Sequence, residues 1–218
     1  MTVSHSYDGN RLPVPAIVGS AHFCYLTDAP TLDPTDVKTV VETAKASKTL
    51  TPWGIEVLDH QSQLFKEDPQ ALEALQRLVR KVRCFLGGRR RKAELVVCQW
   101  TQLHVDHEFL GRAFYSIVLH TGPEPYLLYL LHTAPDKDGG SSVTHGGALV
   151  LDAEKAFVFD PTTPHQALPM RPHQDNLLIL LQFQLVDETV EDREALLRRL
   201  VPDHAKRSEF VEDDDIPF

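Results

Sequence analysis

Two histidines and one aspartate have the types and the spacing needed to hold a single metal ion. His104 and Asp106 stand two positions apart at the end of the apolar run LVVCQWTQLHV, and His165 follows the motif FVFDPTTP. If the run is a β-strand, side chains 104 and 106 leave the same face and can converge on one ion. Two imidazoles and one carboxylate bind one face of a ferrous ion and leave positions open for O2 and a co-substrate. The pattern therefore predicts a mononuclear Fe(II) site formed by His104, Asp106 and His165.

Zinc is the main alternative to iron for this ligand set, because open zinc sites use the same donor types. Zinc hydrolases usually carry their histidine pair on a helix in an HExxH motif, which this sequence lacks. The three cysteines, Cys24, Cys84 and Cys98, are odd in number and have no CxxC spacing. They indicate neither a disulfide framework nor a thiolate zinc site, and they favour a reducing, cytoplasmic location.

The elements that must position the triad lie in a region whose pattern is typical of β-structure. From Ala93 onward, short apolar or alternating runs are separated by Gly, Pro and Asp. The runs are LVVCQWTQLHV, AFYSIVLHT, PYLLYLLHT, GGALVLD, KAFVFD and DNLLILLQFQLV. Short strands in such close succession favour a sandwich or barrel over a parallel sheet with crossover helices.

The region before these strands is predicted to be mainly helical. Asp33 or Thr35 can cap a helix through VKTVVETAKA, and Asp68 with Pro69 begins a second helix, ALEALQRLVRKVRCFL, which a Gly-Gly pair ends. A short strand is expected at AIVGSAHFCYL, and TPWGIEVL fits either a strand or a loop. Helices followed by a run of strands predict an α+β fold.

We expect one domain over residues 1–218, because the composition shows no second apolar block. Residues 1–92 are predicted to form a helical support region, residues 93–186 the β core, and residues 187–218 a C-terminal helix and an acidic tail. The net charge of −9 argues against a nucleic-acid partner. No apolar stretch approaches the ~18 to 20 residues of a membrane span. The sequence does not indicate an oligomeric state.

Four motifs occur in one order within residues 93–186. They are HVD at 104–106, a GG-containing loop leading to the strand GGALVL at 146–151, AFVFDP, and His165 before ALP. In this order they resemble the double-stranded β-helix of the 2-oxoglutarate- and Fe(II)-dependent oxygenases. The resemblance covers a little under half of the chain. It implies a jelly-roll or cupin-like β-sandwich, buttressed by the N-terminal helices, in which the triad binds Fe(II).

The resemblance also implies a reaction. O2 and 2-oxoglutarate react at the iron, 2-oxoglutarate is decarboxylated to succinate, and the substrate is hydroxylated. The carboxylate of Asp106 favours hydroxylation over halogenation, because halogenating relatives lack this carboxylate. The implied substrate is a small molecule, an amino-acid side chain or a peptide.

One part of the sequence departs from the family pattern. Shortly after the distal histidine the family has an Arg or Lys that pairs with the second carboxylate of 2-oxoglutarate, but the equivalent positions here hold Gln174 and Asp175. Either the alignment slips by a few residues, another strand supplies the cation, or the co-substrate is different. Arg171 is the nearest cation, and we expect it to anchor the co-substrate. Tyr115 and Tyr129, in the central strands, are further candidates to bind its carboxylate through their hydroxyls.

Two other functional hypotheses stay open. The stretches HVDHE and DPTTPHQAL are also similar to the two metal motifs of cupins. A cupin-type dioxygenase or isomerase that does not use 2-oxoglutarate is therefore the alternative enzyme. The non-enzymatic alternative is a β-sandwich binding module whose histidines are ordinary pocket residues.

Overall fold

Two antiparallel β-sheets and three helices account for most of the residues described by this computed structural model. The described residues are 24–47, 55–88, 91–106, 113–135, 141–185, 195–196 and 198–200. The helices are α1 (Pro34–Lys45), α2 (Gln63–Lys66) and α3 (Pro69–Phe85). The strands are β1 (Cys24–Thr27), β2 (Ile55–Leu58), β3 (Ala93–Cys98), β4 (Phe114–His120), β5 (Tyr126–Pro135), β6 (Ser141–Leu151), β7 (Ala156–Phe159), β8 (His165–Pro169) and β9 (Leu178–Gln184). The predicted combination of helices and antiparallel strands is confirmed.

The strands form a larger and a smaller sheet. The larger has the order β1-β7-β4-β9-β3-β2 and the smaller the order β6-β5-β8. Every neighbouring pair is antiparallel. The chain passes repeatedly between the sheets, because β4, β7 and β9 belong to the larger one and β5, β6 and β8 to the smaller one. No parallel sheet with crossover helices occurs among the described strands, as the sequence pattern predicts.

The larger sheet has two apolar faces with different partners. Successive side chains of a strand point to opposite faces. Along β4, the buried side chains of Tyr115 and Ile117 belong to one apolar cluster with the helices, whereas Phe114 and Val118 belong to a second cluster with β5 and β6. The helices therefore cover one face of the larger sheet, and the smaller sheet faces the other.

Local sequence signals begin α1 and α3 as predicted. The Asp33 carboxylate accepts hydrogen bonds from the backbone N–H groups of Thr35 and Asp36, at 2.8 and 3.3 Å. The Asp68 carboxylate accepts one from Ala71 N at 3.0 Å. Each capping aspartate precedes a proline at the start of its helix, where the absent N–H has no intrahelical partner to lose.

The strand predicted to run through LVVCQWTQLHV is shorter in the structure. β3 ends at Cys98, after which the chain leaves the larger sheet and joins the smaller one. Thr101 N donates to Ala167 O at 2.9 Å, and Thr101 Oγ1 accepts from Ala167 N at 2.8 Å. His104 then pairs with His165 in an isolated bridge. The prediction that HVD ends one continuous strand is therefore wrong, because this apolar run contributes to both sheets.

Three other predictions of local structure are confirmed in part or fall outside the described residues. The predicted strand GGALVL is confirmed, because Gly146 and Gly147 lie inside β6 and pair with β5, although β6 begins earlier, at Ser141. The GG pair at 139–140 that precedes this strand lies outside the described residues. The N-terminal region supplies β1, at the end of the predicted first strand, and β2, within TPWGIEVL, which are the two edge strands of the larger sheet. The rest of the predicted first strand, most of the predicted C-terminal helix and the acidic tail lie outside the described residues. Within the described ranges, no helix has the length and apolar character that crossing a bilayer requires.

An ion pair joins the two long helices. The Arg77 guanidinium of α3 donates to Asp36 of α1, through Nε at 3.0 Å to one carboxylate oxygen and through a terminal nitrogen at 2.7 Å to the other. Asp36 is buried. The hydrogen bond from Arg77 lowers the pKa of the Asp36 carboxyl below its usual 3.8. A lowered folded-state pKa means that the ionised pair stabilises the fold above the unfolded-state pKa and that this contribution is lost as the pH falls through the folded-state pKa.

Replacing Asp36 by Asn tests this contribution. We expect Asp36→Asn to lower the Tm by a few degrees at pH 7, and the difference from the wild type to shrink as the pH falls below 3.8. Thermal unfolding followed by circular dichroism across this pH range measures both effects. Glu73→Gln is the matched control, since Glu73 also approaches Arg77 but is exposed to solvent. A Tm difference for Asp36→Asn that is independent of pH would contradict the proposed role of the ion pair.

Candidate metal centre

The structure brings the three predicted ligands together. One ligand atom from each of His104, Asp106 and His165 lies within 4.8 Å of the others. His104 Nε2 is 3.7 Å from Asp106 Oδ1, and His165 Nε2 is 3.8 Å from Asp106 Oδ2. Within the described part of the chain, this is a cluster of His and Asp side chains with the spacing that a metal ion requires.

Backbone hydrogen bonds set the relative positions of the triad. His104 N donates to His165 O at 3.0 Å, and His165 N donates to His104 O at 2.9 Å. Such a reciprocal pair fixes two residues directly opposite each other across antiparallel chains. Asp106 N donates to Pro161 O at 3.0 Å, in the turn between β7 and β8. Two chain segments that are distant in sequence are therefore joined at the three residues that form the site.

A second set of hydrogen bonds determines which ring nitrogen of each histidine faces the site. Nδ1 of His104 lies 2.7 Å from the carbonyl oxygen of Gln102, and Nδ1 of His165 lies 2.8 Å from that of Thr163. Because a carbonyl oxygen can only accept, each Nδ1 carries the hydrogen and each Nε2 keeps a lone pair. Both lone pairs are on the nitrogen nearest Asp106. A backbone carbonyl that orients an imidazole in this way is a common outer partner of metal-bound histidine.

The environment of His165 keeps its ring neutral. Its side chain is 8% exposed, and the Phe159 ring meets it edge to face with 5.1 Å between centroids. Burial and the neighbouring His104 lower the pKa of His165 to about 4. At pH 7 the ring is therefore in the neutral form that binds metals. His104 and Asp106 are partly exposed, at 30% and 28% of their side-chain area, so one side of the cluster is open.

The distances and donor types fit a divalent metal ion. Two donor atoms that each lie ~2.1 Å from an ion are separated by about 3.0 Å at a right angle and about 4.2 Å when opposite. The two His-to-Asp distances, 3.7 and 3.8 Å, fall inside this interval. They also exceed the length of a direct hydrogen bond. The three side chains therefore surround a space between their donor atoms, and their N, N and O donors are those of both mononuclear iron and open zinc sites.

The triad lies in the wall of a cavity of about 450 Å³ between the two sheets. This volume is in the range of small-molecule sites. Most of the cavity wall is apolar, and the contributing side chains come from both sheets. They include Val96, Cys98, Phe114, Leu128, Leu151, Phe157, Phe159, Leu178 and Leu180.

A polar group of four side chains also lines the cavity and was not predicted as part of the site. Lys92 forms an ion pair with Glu94, and Gln184 Nε2 donates to the Glu94 carboxylate at 3.0 Å. Gln182 is the fourth member. The sequence does contain a signal for this group, because polar residues occupy alternate positions in two otherwise apolar segments. These positions are 92 and 94, immediately before and within β3, and 182 and 184 at the end of β9.

The structure does not bring Tyr115 or Tyr129 to the triad. Tyr115 is fully buried in the cluster on the helix side of the larger sheet, and its hydroxyl donates to Asp28 O at 2.9 Å. Tyr129 lies in β5 between Leu128 and Leu130, which are buried, and is 36% exposed. Neither tyrosine lines the cavity. Both therefore lie on the wrong face of their strands for the carboxylate-binding role expected from the sequence.

Arg171 is also away from the cavity. It lies exposed in the turn after β8, and its backbone carbonyl accepts a hydrogen bond from Asn176 Nδ2 at 2.7 Å. His173 and Gln174, in the same turn, line a different cavity with Trp100. Lys92 is the cation that lines the triad cavity among the described residues. The expectation that Arg171 faces the site is therefore not met by this geometry.

Comparison with known proteins adds several solved structures of low similarity. No family model and no curated protein sequence matches the chain. AviO1 from Streptomyces viridochromogenes is 15% identical, with 72% of this chain and 87% of that chain covered and a TM-score of 0.43. The carbocyclase SnoK from nogalamycin biosynthesis, a non-heme alpha-ketoglutarate-dependent enzyme, is 14% identical, with 84% and 87% covered and a TM-score of 0.44. A Pseudomonas putida prolyl-4-hydroxylase is 14% identical, with 72% and 90% covered and a TM-score of 0.37. Similarity at this level does not establish a shared family or activity.

Ligand variants test the metal centre. We expect the wild-type chain to bind one Fe(II) ion and Asp106→Ala or His165→Ala to weaken binding at least ~100-fold, since loss of an outer partner alone costs about 10- to 100-fold. Anaerobic isothermal titration calorimetry measures the affinity and the stoichiometry. His173→Ala, which removes an exposed histidine outside the cluster, should bind as the wild type does. Unchanged Fe(II) affinity in Asp106→Ala would show that the ion binds elsewhere.

Proposed function

We propose that the chain is an Fe(II)-dependent oxygenase that uses 2-oxoglutarate to hydroxylate a small molecule or an amino-acid side chain. The observation that carries this proposal is the triad itself. His104, Asp106 and His165 offer two imidazoles and one carboxylate to one ion at the wall of a mainly apolar cavity. This ligand set leaves coordination positions open for O2 and a co-substrate.

The order of the strands supports a double-stranded β-helix. A chain that winds between two facing antiparallel sheets produces such a barrel-like sandwich. Here the segment carrying HVD pairs with β8 at the edge of the smaller sheet, and β3, which precedes it, lies in the larger sheet. The helices α1 and α3 cover the outer face of the larger sheet. This arrangement agrees with the fold that the sequence resemblance implies.

The residues of the cavity suit oxidation of an apolar part of a substrate. When bound, the iron would supply the activation of O2. The chain would hold the ion through the triad and keep both histidines oriented through the carbonyls of Gln102 and Thr163. Phe114, Phe157 and Phe159 would exclude water from the reacting atoms.

Lys92 is our candidate partner for the second carboxylate of 2-oxoglutarate. A carboxylate in a mainly apolar cavity needs a cation, because burying an unpaired charge is costly. Lys92 lines the same cavity as the triad, and its side chain is 60% exposed. Its backbone carbonyl accepts from Gln184 N at 3.1 Å, which places it beside the end of β9.

A second candidate function is favoured by the partner that Lys92 already has. Lys92 forms an ion pair with Glu94, whose carboxylate would oppose the approach of an anionic co-substrate. A cupin-type dioxygenase or isomerase uses a similar metal site without 2-oxoglutarate. Such an enzyme would need no free cation in the cavity.

An anaerobic titration separates the two candidates. We expect Fe(II) and 2-oxoglutarate together to give the weak visible charge-transfer band of a chelated 2-oxo acid. Lys92→Met should weaken 2-oxoglutarate binding by about 10-fold or more, because the carboxylate loses its counter-charge, and Lys92→Arg should retain most of it. Lys155→Met, which removes an exposed lysine paired with Asp152, is the control.

Each negative outcome of the titration has a distinct meaning. Fe(II) binding without the band would contradict the use of 2-oxoglutarate and would favour the cupin-type candidate. Failure to bind any divalent metal would contradict both enzyme proposals and leave the binding module. An equal affinity for 2-oxoglutarate in Lys92→Met and the wild type would rule out Lys92 as the anchor.

A further inference from the structure

A buried amide faces the triad cavity from the middle of β9. The alternation of this strand directs Leu178, Leu180, Gln182 and Gln184 into the cavity. Leu178 and Leu180 belong to the apolar cluster between the sheets. Gln182 is the next residue on this face of the strand and is 9% exposed. A leucine at this position would fill the same space. An uncharged polar group at such a position is unusual for a packed interior.

One end of this amide is held by a buried hydroxyl. Ser116 is fully buried in β4, opposite Gln182 in the strand register, and Ser116 Oγ donates to Gln182 Oε1 at 3.2 Å. With its oxygen bound in this way, the amide presents Nε2 as its remaining group. Among the described residues, no hydrogen bond engages this nitrogen. The neighbouring Gln184 differs, because its Nε2 donates to Glu94.

The charge around Gln182 selects the kind of group that its N–H donors can bind. Across the sheet, Gln182 pairs in register with Glu94, which lines the same cavity. An anionic group at Gln182 would therefore lie close to a carboxylate, and the one cation beside it among the described cavity residues, Lys92, is already paired with that carboxylate, so repulsion would oppose the anion. A neutral oxygen acceptor, such as the carbonyl of an amide, ketone or ester, would meet the donors without this penalty.

We propose that Gln182 is a specificity-determining residue whose Nε2 donates to a neutral carbonyl oxygen of the substrate. Ser116 acts as a positioning residue that fixes the amide in the required orientation. Leu178, Leu180 and Phe157 provide an apolar surface for the rest of the substrate. The substrate class is thus a molecule with an apolar body and an uncharged carbonyl group. This inference rests on the proposed function only in taking the triad cavity as the active site.

Binding to the metal-free full-length chain tests this inference without turnover. The probes are 4-methylpentanamide and 4-methylpentanoate, which have the same apolar body and differ in the charge of the polar end. We expect the amide to bind more tightly than the carboxylate, and Gln182→Leu to weaken amide binding by about 3- to 10-fold, the value of one hydrogen bond. Titrations followed by NMR chemical shifts measure both affinities. Because no metal is needed, the result is independent of the Fe(II) and 2-oxoglutarate titration.

Three further variants separate recognition from structural effects. Gln182→Met keeps an unbranched side chain of similar length and serves if Gln182→Leu does not fold. Glu94→Gln should strengthen binding of 4-methylpentanoate, because it removes the repelling charge. Ser116→Ala should weaken amide binding less than Gln182→Leu does. The inference is overturned if the wild-type chain binds the carboxylate as tightly as the amide, or if a folded Gln182 variant keeps the amide affinity of the wild type.

Discussion

The reciprocal pair of backbone hydrogen bonds between His104 and His165 is the constraint on which the rest of the site depends. These bonds, at 3.0 and 2.9 Å, attach the segment that leaves β3 to the first residue of β8. Thr101 and Asp106, on either side of this pair, attach the same segment through their bonds to Ala167 and Pro161. In this arrangement the rings lie 4.2 Å apart between centroids, and Asp106 is two residues further along the segment. The local pairing of two chain segments thus brings His165 to His104 and Asp106, which are distant from it in sequence, and forms one ligand set.

The two faces of the larger sheet have different roles, one in the core of the protein and the other in the site. Its outer face packs against α1 and α3, whose ends are fixed by Asp33 and Asp68. Its inner face forms part of the cavity wall, where Phe157, Leu180 and Gln182 are available for ligand contact. Because neighbouring residues of one strand serve opposite faces, the same strands support the core and line the cavity. The polar residues Lys92, Glu94, Gln182 and Gln184 stand out because the remaining wall is apolar.

The sequence predicts the features that depend on local patterns. A helix cap at Asp33 or Thr35, a second cap at Asp68, the succession of short strands and the triad are all predicted from residue type and spacing. The structure uses Asp33 as the first cap and brings the triad together. The direction of Tyr115 could not be predicted, because it depends on which face of β4 meets the other sheet. The position of Arg171 could not be predicted either, because it depends on the path of the turn after β8. The break after Cys98 was also missed, since an apolar run has the same pattern whether it stays in one sheet or crosses to another. The proposed role of Gln182 could not be predicted either, because it depends on Ser116 and Glu94, which lie beside Gln182 on neighbouring strands.

A crystal grown anaerobically with Fe(II) tests the central claim most directly. Anomalous difference maps from data collected on either side of the iron absorption edge locate the ion independently of the protein phases. We expect one iron peak in each chain, within about 2.0–2.2 Å of His104 Nε2, His165 Nε2 and a carboxylate oxygen of Asp106. An iron peak at any other position, or three side chains hydrogen-bonded to one another with no iron between them, would contradict it.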